Sequence, residues 1–134
     1  MTTSASRPAA LAATAGCLVM VAFQLSLAAG APFGRAAWGG SHPGQLPADL
    51  RVSSAFAVAV WAVAALVLAR RAGLTSVPPD GFARVATWVL GGLVLLGALA
   101  NFASPSGWER YLWGPFAVLL AILCFAAARR RRAN

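Results

Sequence analysis

The chain has 134 residues, 60% of them hydrophobic and only 10% charged, and a mean hydropathy of +0.73. Soluble domains ordinarily carry about 25% charged residues, so a soluble fold is excluded. The 11 basic residues, all arginine, outnumber three acids and give a formal net charge of +8; nucleic acid is nevertheless not expected as a partner, because its recognition needs basic side chains gathered on a folded soluble surface and here they flank apolar runs.

Four such runs, Ala9 to Gly30, Val52 to Ala69, Val85 to Ala103 and Tyr111 to Ala128, are each about long enough to cross a bilayer. The first follows Arg7 and ends in Ala29-Gly30-Ala31, which imitates a secretory signal peptide. Its apolar core exceeds the usual length of about 7–15 residues, so it is expected to stay as the first span. Ala15-Gly16-Cys17 resembles a lipoprotein cleavage site only superficially: Thr14 stands where a branched aliphatic residue is usual, and apolar sequence continues beyond the cysteine. No lipidation is expected there.

The longest connection, Ala31 to Arg51, carries Gly34, Gly39, Gly40 and Gly44, which would let it fold back tightly. Pro47 suits the first turn of the second helix, where a missing N–H costs little, and Asp49 in the same turn complements the helix dipole. Gly73, after Arg70 and Arg71, can end that helix in the left-handed conformation. Pro78-Pro79-Asp80-Gly81 reads as a turn. Ser106-Gly107-Trp108-Glu109 has the pattern of a capping box opening the fourth helix, and Pro115, eased by Gly114, should kink it about two turns later.

The fold expected is therefore all-α: one domain over residues 1–134, a transmembrane antiparallel four-helix bundle. If the spans alternate, Arg7, Arg70, Arg71, Arg84 and Arg129 to Arg132 share one side, and Arg35, Arg51 and Arg110 the other. Positive residues in short loops are retained in the cytoplasm, which puts both termini there. Trp38, Trp108, Tyr111 and Trp113 then fall near the outer boundary and Trp88 near the inner one, as amphipathic rings prefer. Trp61, near the middle of the second span, reads as a packing residue. Close helix approach is assigned to Ala12 with Gly16, Ala55 with Ala59, and Gly91, Gly92 and Gly97.

Chemistry needs groups that ionise, coordinate or attack, and the chain offers one histidine, two cysteines, three acids and no lysine. Bis-histidine haem ligation needs paired histidines on the spans, and zinc needs three or four ligands at defined spacing. His42 stands alone, so neither metal nor other cofactor is expected. Cys17 and Cys124 lie within spans without a Cys-X-X-Cys arrangement and read as apolar fillers. No catalytic residue is assigned.

Polar residues gather toward the outer face. Gln24, Arg35, Trp38, His42, Arg51, Asn101, Glu109 and Arg110 form the candidate binding cluster, with Asp49 nearby. An amide at the depth of Gln24 must find a partner, because lipid offers none; Asn101 is the expected one. The plain reading is that these residues cap helices, pair Arg51 or Arg110 with Glu109 or Asp49, and tie down the loop. The functional reading is a shallow outward pocket under the loop, where Arg35 or Arg51 meets a lipid headgroup or another anion. On the other face, Arg129, Arg130, Arg131 and Arg132 form a basic block suited to topological anchoring or contact with anionic lipid.

The combination Gly30-Ala31-Pro32-Phe33-Gly34, Trp38-Gly39-Gly40, Leu46-Pro47, Leu50-Arg51, Asn101, Ser104-Pro105, Glu109-Arg110 and Trp113 resembles uncharacterised small four-span bacterial membrane proteins. The resemblance spans nearly the whole chain and implies a multi-pass protein of the bacterial cytoplasmic membrane; it implies no activity. Three functions compete: non-enzymatic binding of a lipid or a membrane-protein partner, with possible self-association; solute transport as an oligomer; and lipid modification with Glu109 or His42 handling a proton. Small multidrug transporters resemble this chain in size but use a glutamate deep in the first helix, where this chain has no acid.

Overall fold

The computed structural model describes residues 6–129. Arg130, Arg131 and Arg132 lie outside them, so the basic block is represented by Arg129 alone. The described residues form helices and turns without a strand: α1 (Ser6–Ala28), α2 (Ala48–Arg71), α3 (Asp80–Ala103) and α4 (Gly114–Ala128), the last entered through a π-helical turn, Glu109–Trp113. Four helices, the fourth counted with its π turn, are long and apolar enough to cross a membrane, which points to a multi-pass membrane protein.

Helix ends follow local chemistry. Gly73 has φ +79°, and the amides of Gly73 and Leu74 donate to the carbonyls of Arg70 and Ala69, a Schellman arrangement that satisfies two otherwise orphan acceptors. Gly30, at φ +101°, ends α1 in the same way through the amides of Gly30 and Ala31. Pro47 and Pro79 are the N-cap residues of α2 and α3, so Pro47 stands one step outside the first turn in which it was expected. Asp49 and Asp80 occupy the first turns, where the dipole favours a carboxylate. Asp80 and Gly81 are therefore helical and not the second half of a turn, and both α2 and α3 begin about one turn earlier than their apolar runs.

The fourth helix departs furthest from expectation. Instead of a kink two turns into a continuous α-helix, the backbone widens before Pro115, and the amide of Gly114 donates to Glu109 O, five residues back. A π turn absorbs one extra residue, and here it delivers Pro115 into the first turn of α4, where its missing N–H costs little. The capping box is half formed. Ser106 Oγ accepts from the amide of Glu109 at 3.3 Å, but the glutamate carboxylate turns elsewhere, and the amide of Ser106 is satisfied by Ser104 Oγ at 3.1 Å.

Helix α1 packs closely on α2 and α3 on α4, α1 also meets α4, and α2 meets α3 only sparsely. The core between them is built from small side chains, including Ala10, Ala13, Cys17, Ala64, Ala65, Leu68, Ala98, Ala121 and Cys124. Alanine lets backbones approach and gain dispersion contacts that long side chains would hold apart. Of the small residues assigned to close approach, Gly16 and Gly91 serve it: an added Cβ would lie 3.1 Å from Leu120 Cδ1 and 2.6 Å from Phe125 Cε1 respectively. Ala12, Ala55 and Ala59 are exposed, and an added Cβ on Gly92 or Gly97 would meet nothing within 4 Å. Cys17 and Cys124 are free and buried in the same core.

The two ends of the molecule are tied differently. At one end arginines cap carbonyls: Arg7 Nε donates to Ala72 O at 3.1 Å and Arg70 Nε to Pro78 O at 2.9 Å. Arg71, its side chain only 8% exposed, donates to Ala127 O and Arg129 O and pairs with Asp80 at 2.6 Å. At the other end the long loop folds into two short 3-10 turns, Gly34–Ala36 and Trp38–Gly40. Gly34 there lies so close to the returning strand of the loop that a Cβ would fall 1.9 Å from His42 O. Ala37 and Leu46 of the loop are buried with Leu27 of α1 in a small second cluster.

Candidate functional site

The loop end closes over a cavity of about 520 Å³ that all four helices and the loop line, a volume within the range of small-molecule sites. Its walls are apolar and aromatic: Met20 and Phe23 from α1, Val60, Trp61 and Ala64 from α2, Leu90, Leu93, Val94 and Gly97 from α3, and Phe116, Ala117 and Leu120 from α4, with Trp113 from the π turn. On α3 the lining runs from Asn101 to Leu90, about 16 Å of helix rise. It is thus deep and not the shallow outer pocket expected.

Its polar groups lie at the loop end, where Gln24, Trp38, Asn101 and Glu109 line the same space. Trp38 is held in the left-handed region at φ 51°, an uncommon state for a bulky residue, costing about 1–3 kcal/mol where it occurs. The contact that fixes it is Trp38 Nε1 donating to buried Ser54 Oγ at 3.0 Å. Glu109 Oε1 accepts from the amide of Gly39 at 3.1 Å, and Glu109 Oε2 accepts from Ser104 Oγ. Ser106 Oγ donates to Arg35 O at 2.6 Å. The start of the fourth helix and the loop therefore hold each other, and Glu109 and Trp38 sit at that junction.

Two buried polar atoms of the lining lack a partner, Gln24 Oε1 and Trp113 Nε1. The pairing expected between Gln24 and Asn101 is not made, although both face the cavity. An unsatisfied buried acceptor or donor costs about 1–3 kcal/mol. Trp113 is an anchor of the site and not only a ring at the boundary: it lies 4.7 Å from the ring of Phe23 and 5.5 Å from that of Phe116. Trp61 packs on the core, as expected, and also faces the cavity.

The remaining members of the predicted cluster lie apart from this space. Arg35 and His42 are exposed on the loop, His42 within hydrogen-bond distance of Ser41 Oγ at 3.1 Å. Arg51 Nε caps Ala28 O at 3.1 Å, and Arg110 donates to Ser104 O from Nε and Nη2. Neither arginine pairs with Glu109 or Asp49; among the described residues the ion pair formed is that of Arg71 with Asp80. Of the four polar lining residues, Gln24 and Asn101 stand out in the sequence as amides within apolar runs. The aromatic and aliphatic lining was not, because nothing in an apolar helix marks which face meets a void.

Val60 and Leu93 line the cavity yet are 52% and 60% exposed. They stand on α2 and α3, which meet only sparsely, and their exposure puts the cavity's open side between these helices. Among the described residues no group of three or more His, Cys, Asp or Glu side chains is arranged to hold a metal. Compared with known families, curated proteins and solved structures, the chain matches none.

Proposed function

We propose that this chain binds a single membrane-borne amphiphile without transforming it. In this reading it is a small bacterial cytoplasmic-membrane protein of four antiparallel spans, with both termini in the cytoplasm and the loop end outside. The observation that carries it is the sideways opening of an apolar cavity whose one polar end holds unpartnered hydrogen-bonding atoms. A ligand dissolved in the bilayer reaches such a site without crossing water, buries its chain against Trp61, Leu90 and Phe116, and meets Gln24 and Trp113 with its head.

Binding is favoured over transport because the far end of the cavity stops at the packed core of Ala13, Cys17, Leu68 and Cys124. Binding is favoured over lipid modification because His42 lies on the exposed loop surface, away from the cavity that Glu109 lines.

Gly97 provides the test. It lines the cavity, and a Cβ built on it meets nothing within 4 Å, so Gly97→Leu can be accommodated at its branch point and raises helix propensity by about 0.8 kcal/mol. With the protein in phosphatidylcholine nanodiscs, a bromine-labelled undecanol should quench tryptophan fluorescence saturably, and Gly97→Leu should weaken that binding at least about tenfold, about 1.4 kcal/mol, with helicity retained. Quenching that never saturates, or is identical in both proteins, would overturn the reading.

A further inference from the structure

Within that binding reading, we infer that the cavity selects a cationic head group, a long-chain ammonium ion or its equivalent. The reason is Glu109. Among the described residues it is the one ionisable side chain lining the cavity, and no basic nitrogen of those residues lies within 4 Å of its carboxylate. Arg110, next in sequence, does not pair with it: its guanidinium binds Ser104 O and lies 5.7 Å from the centre of the exposed Tyr111 ring. The arginines expected to attract an anion, Arg35 and Arg51, do not line the cavity.

Each carboxylate oxygen has one protein donor, the amide of Gly39 or the hydroxyl of Ser104. These neutral donors fix the carboxylate in place without cancelling its charge. Indole faces add to the same preference, since a cation is attracted to the negative face of an aromatic ring, most strongly tryptophan, and Trp38, Trp61 and Trp113 all line the cavity. An anionic head would meet the same carboxylate repulsively, and beside low-dielectric walls that repulsion is poorly screened.

The test compares head groups on one chain length. Dodecyltrimethylammonium, dodecanol and dodecyl sulfate, each at sub-micellar concentration, are titrated into protein in phosphatidylcholine nanodiscs, with empty nanodiscs subtracted. The cation should bind at least about tenfold more tightly than the alcohol, and the sulfate more weakly than the alcohol. Glu109→Gln, which keeps an acceptor for Gly39, should abolish the preference, so that cation and alcohol bind the variant alike. Tetramethylammonium, the same head with no chain, should give no saturable signal. Equal affinities for the three heads in the unaltered protein, or a preference that survives Glu109→Gln, would overturn cation selection while leaving amphiphile binding intact. Absence of saturable binding by every probe would overturn both readings, and tetramethylammonium binding as tight as that of the long-chain cation would replace the membrane-borne ligand with a soluble ion. The order of the three heads in the unaltered protein decides the matter even if the Glu109 variant does not fold.

Discussion

Gln24 and Glu109 show how two polar residues lining one apolar cavity take on different work. Glu109 is tied by two protein donors and holds the loop to the fourth helix, while Gln24 Oε1 has no partner. A group retained for stability would be satisfied; one retained for a ligand is satisfied when the ligand arrives. Gln24→Leu should therefore raise the stability of the empty protein by about 1 kcal/mol, the penalty of an unmet buried acceptor, in equilibrium unfolding in mixed micelles. The same variant should weaken dodecanol binding by about three- to tenfold. A loss of stability of similar size would show that Gln24 serves the fold. Gln24 and Asn101 were conspicuous as amides inside apolar runs, whereas Trp38 and Glu109 stood out only as members of the eight-residue outer cluster, four of which line the cavity. Trp61 and Trp113 were not readable as lining, because an indole suits lipid, core or cavity equally well.

Among the elements, the four helices were legible from their apolar runs, and Gly73 from the arginine pair before it, since both depend on residues close in sequence. The π turn was not. It reconciles Pro115 with the need to hold Glu109 against the loop and Trp113 against Phe23, and these are contacts between elements. Arg71 is the clearest link of that kind: from the last turn of α2 it binds carbonyls at the end of α4 and Asp80 at the start of α3. Its nearly buried guanidinium satisfies acceptors that no helix can supply for itself. Arg71→Ala should destabilise the protein by about 1–3 kcal/mol, the range for leaving polar groups at the helix ends without their donor, measured by unfolding in mixed micelles; the pair with Asp80, which is 55% exposed, adds little to it. A change under about 0.5 kcal/mol, the size of an ordinary surface substitution, would show that the clamp is ornamental.

At the scale of the whole molecule, the arginines divide between the ends, Arg7, Arg70, Arg71, Arg84 and Arg129 against Arg35, Arg51 and Arg110. If positive residues are retained in the cytoplasm, reporter fusions after Ala72 and at Asn134 should both be active inside the cell, and a fusion in the loop near His42 outside. An external reporter at Asn134 would reverse the topology and turn the cavity's polar end toward the cytoplasm. Many outward surfaces are apolar, with Phe56 at 73% and Val52 at 70% exposed, as a chain solvated by lipid requires. Membrane residence, helix number and the uneven distribution of charge belong to composition and order along the chain, because the bilayer acts on each apolar segment separately. The sparse contact of α2 with α3, the opening between them and the lack of an ion pair on Glu109 arise only on packing, because they depend on which faces of nearly uniform helices meet, and a helix apolar on all sides carries little record of its neighbours.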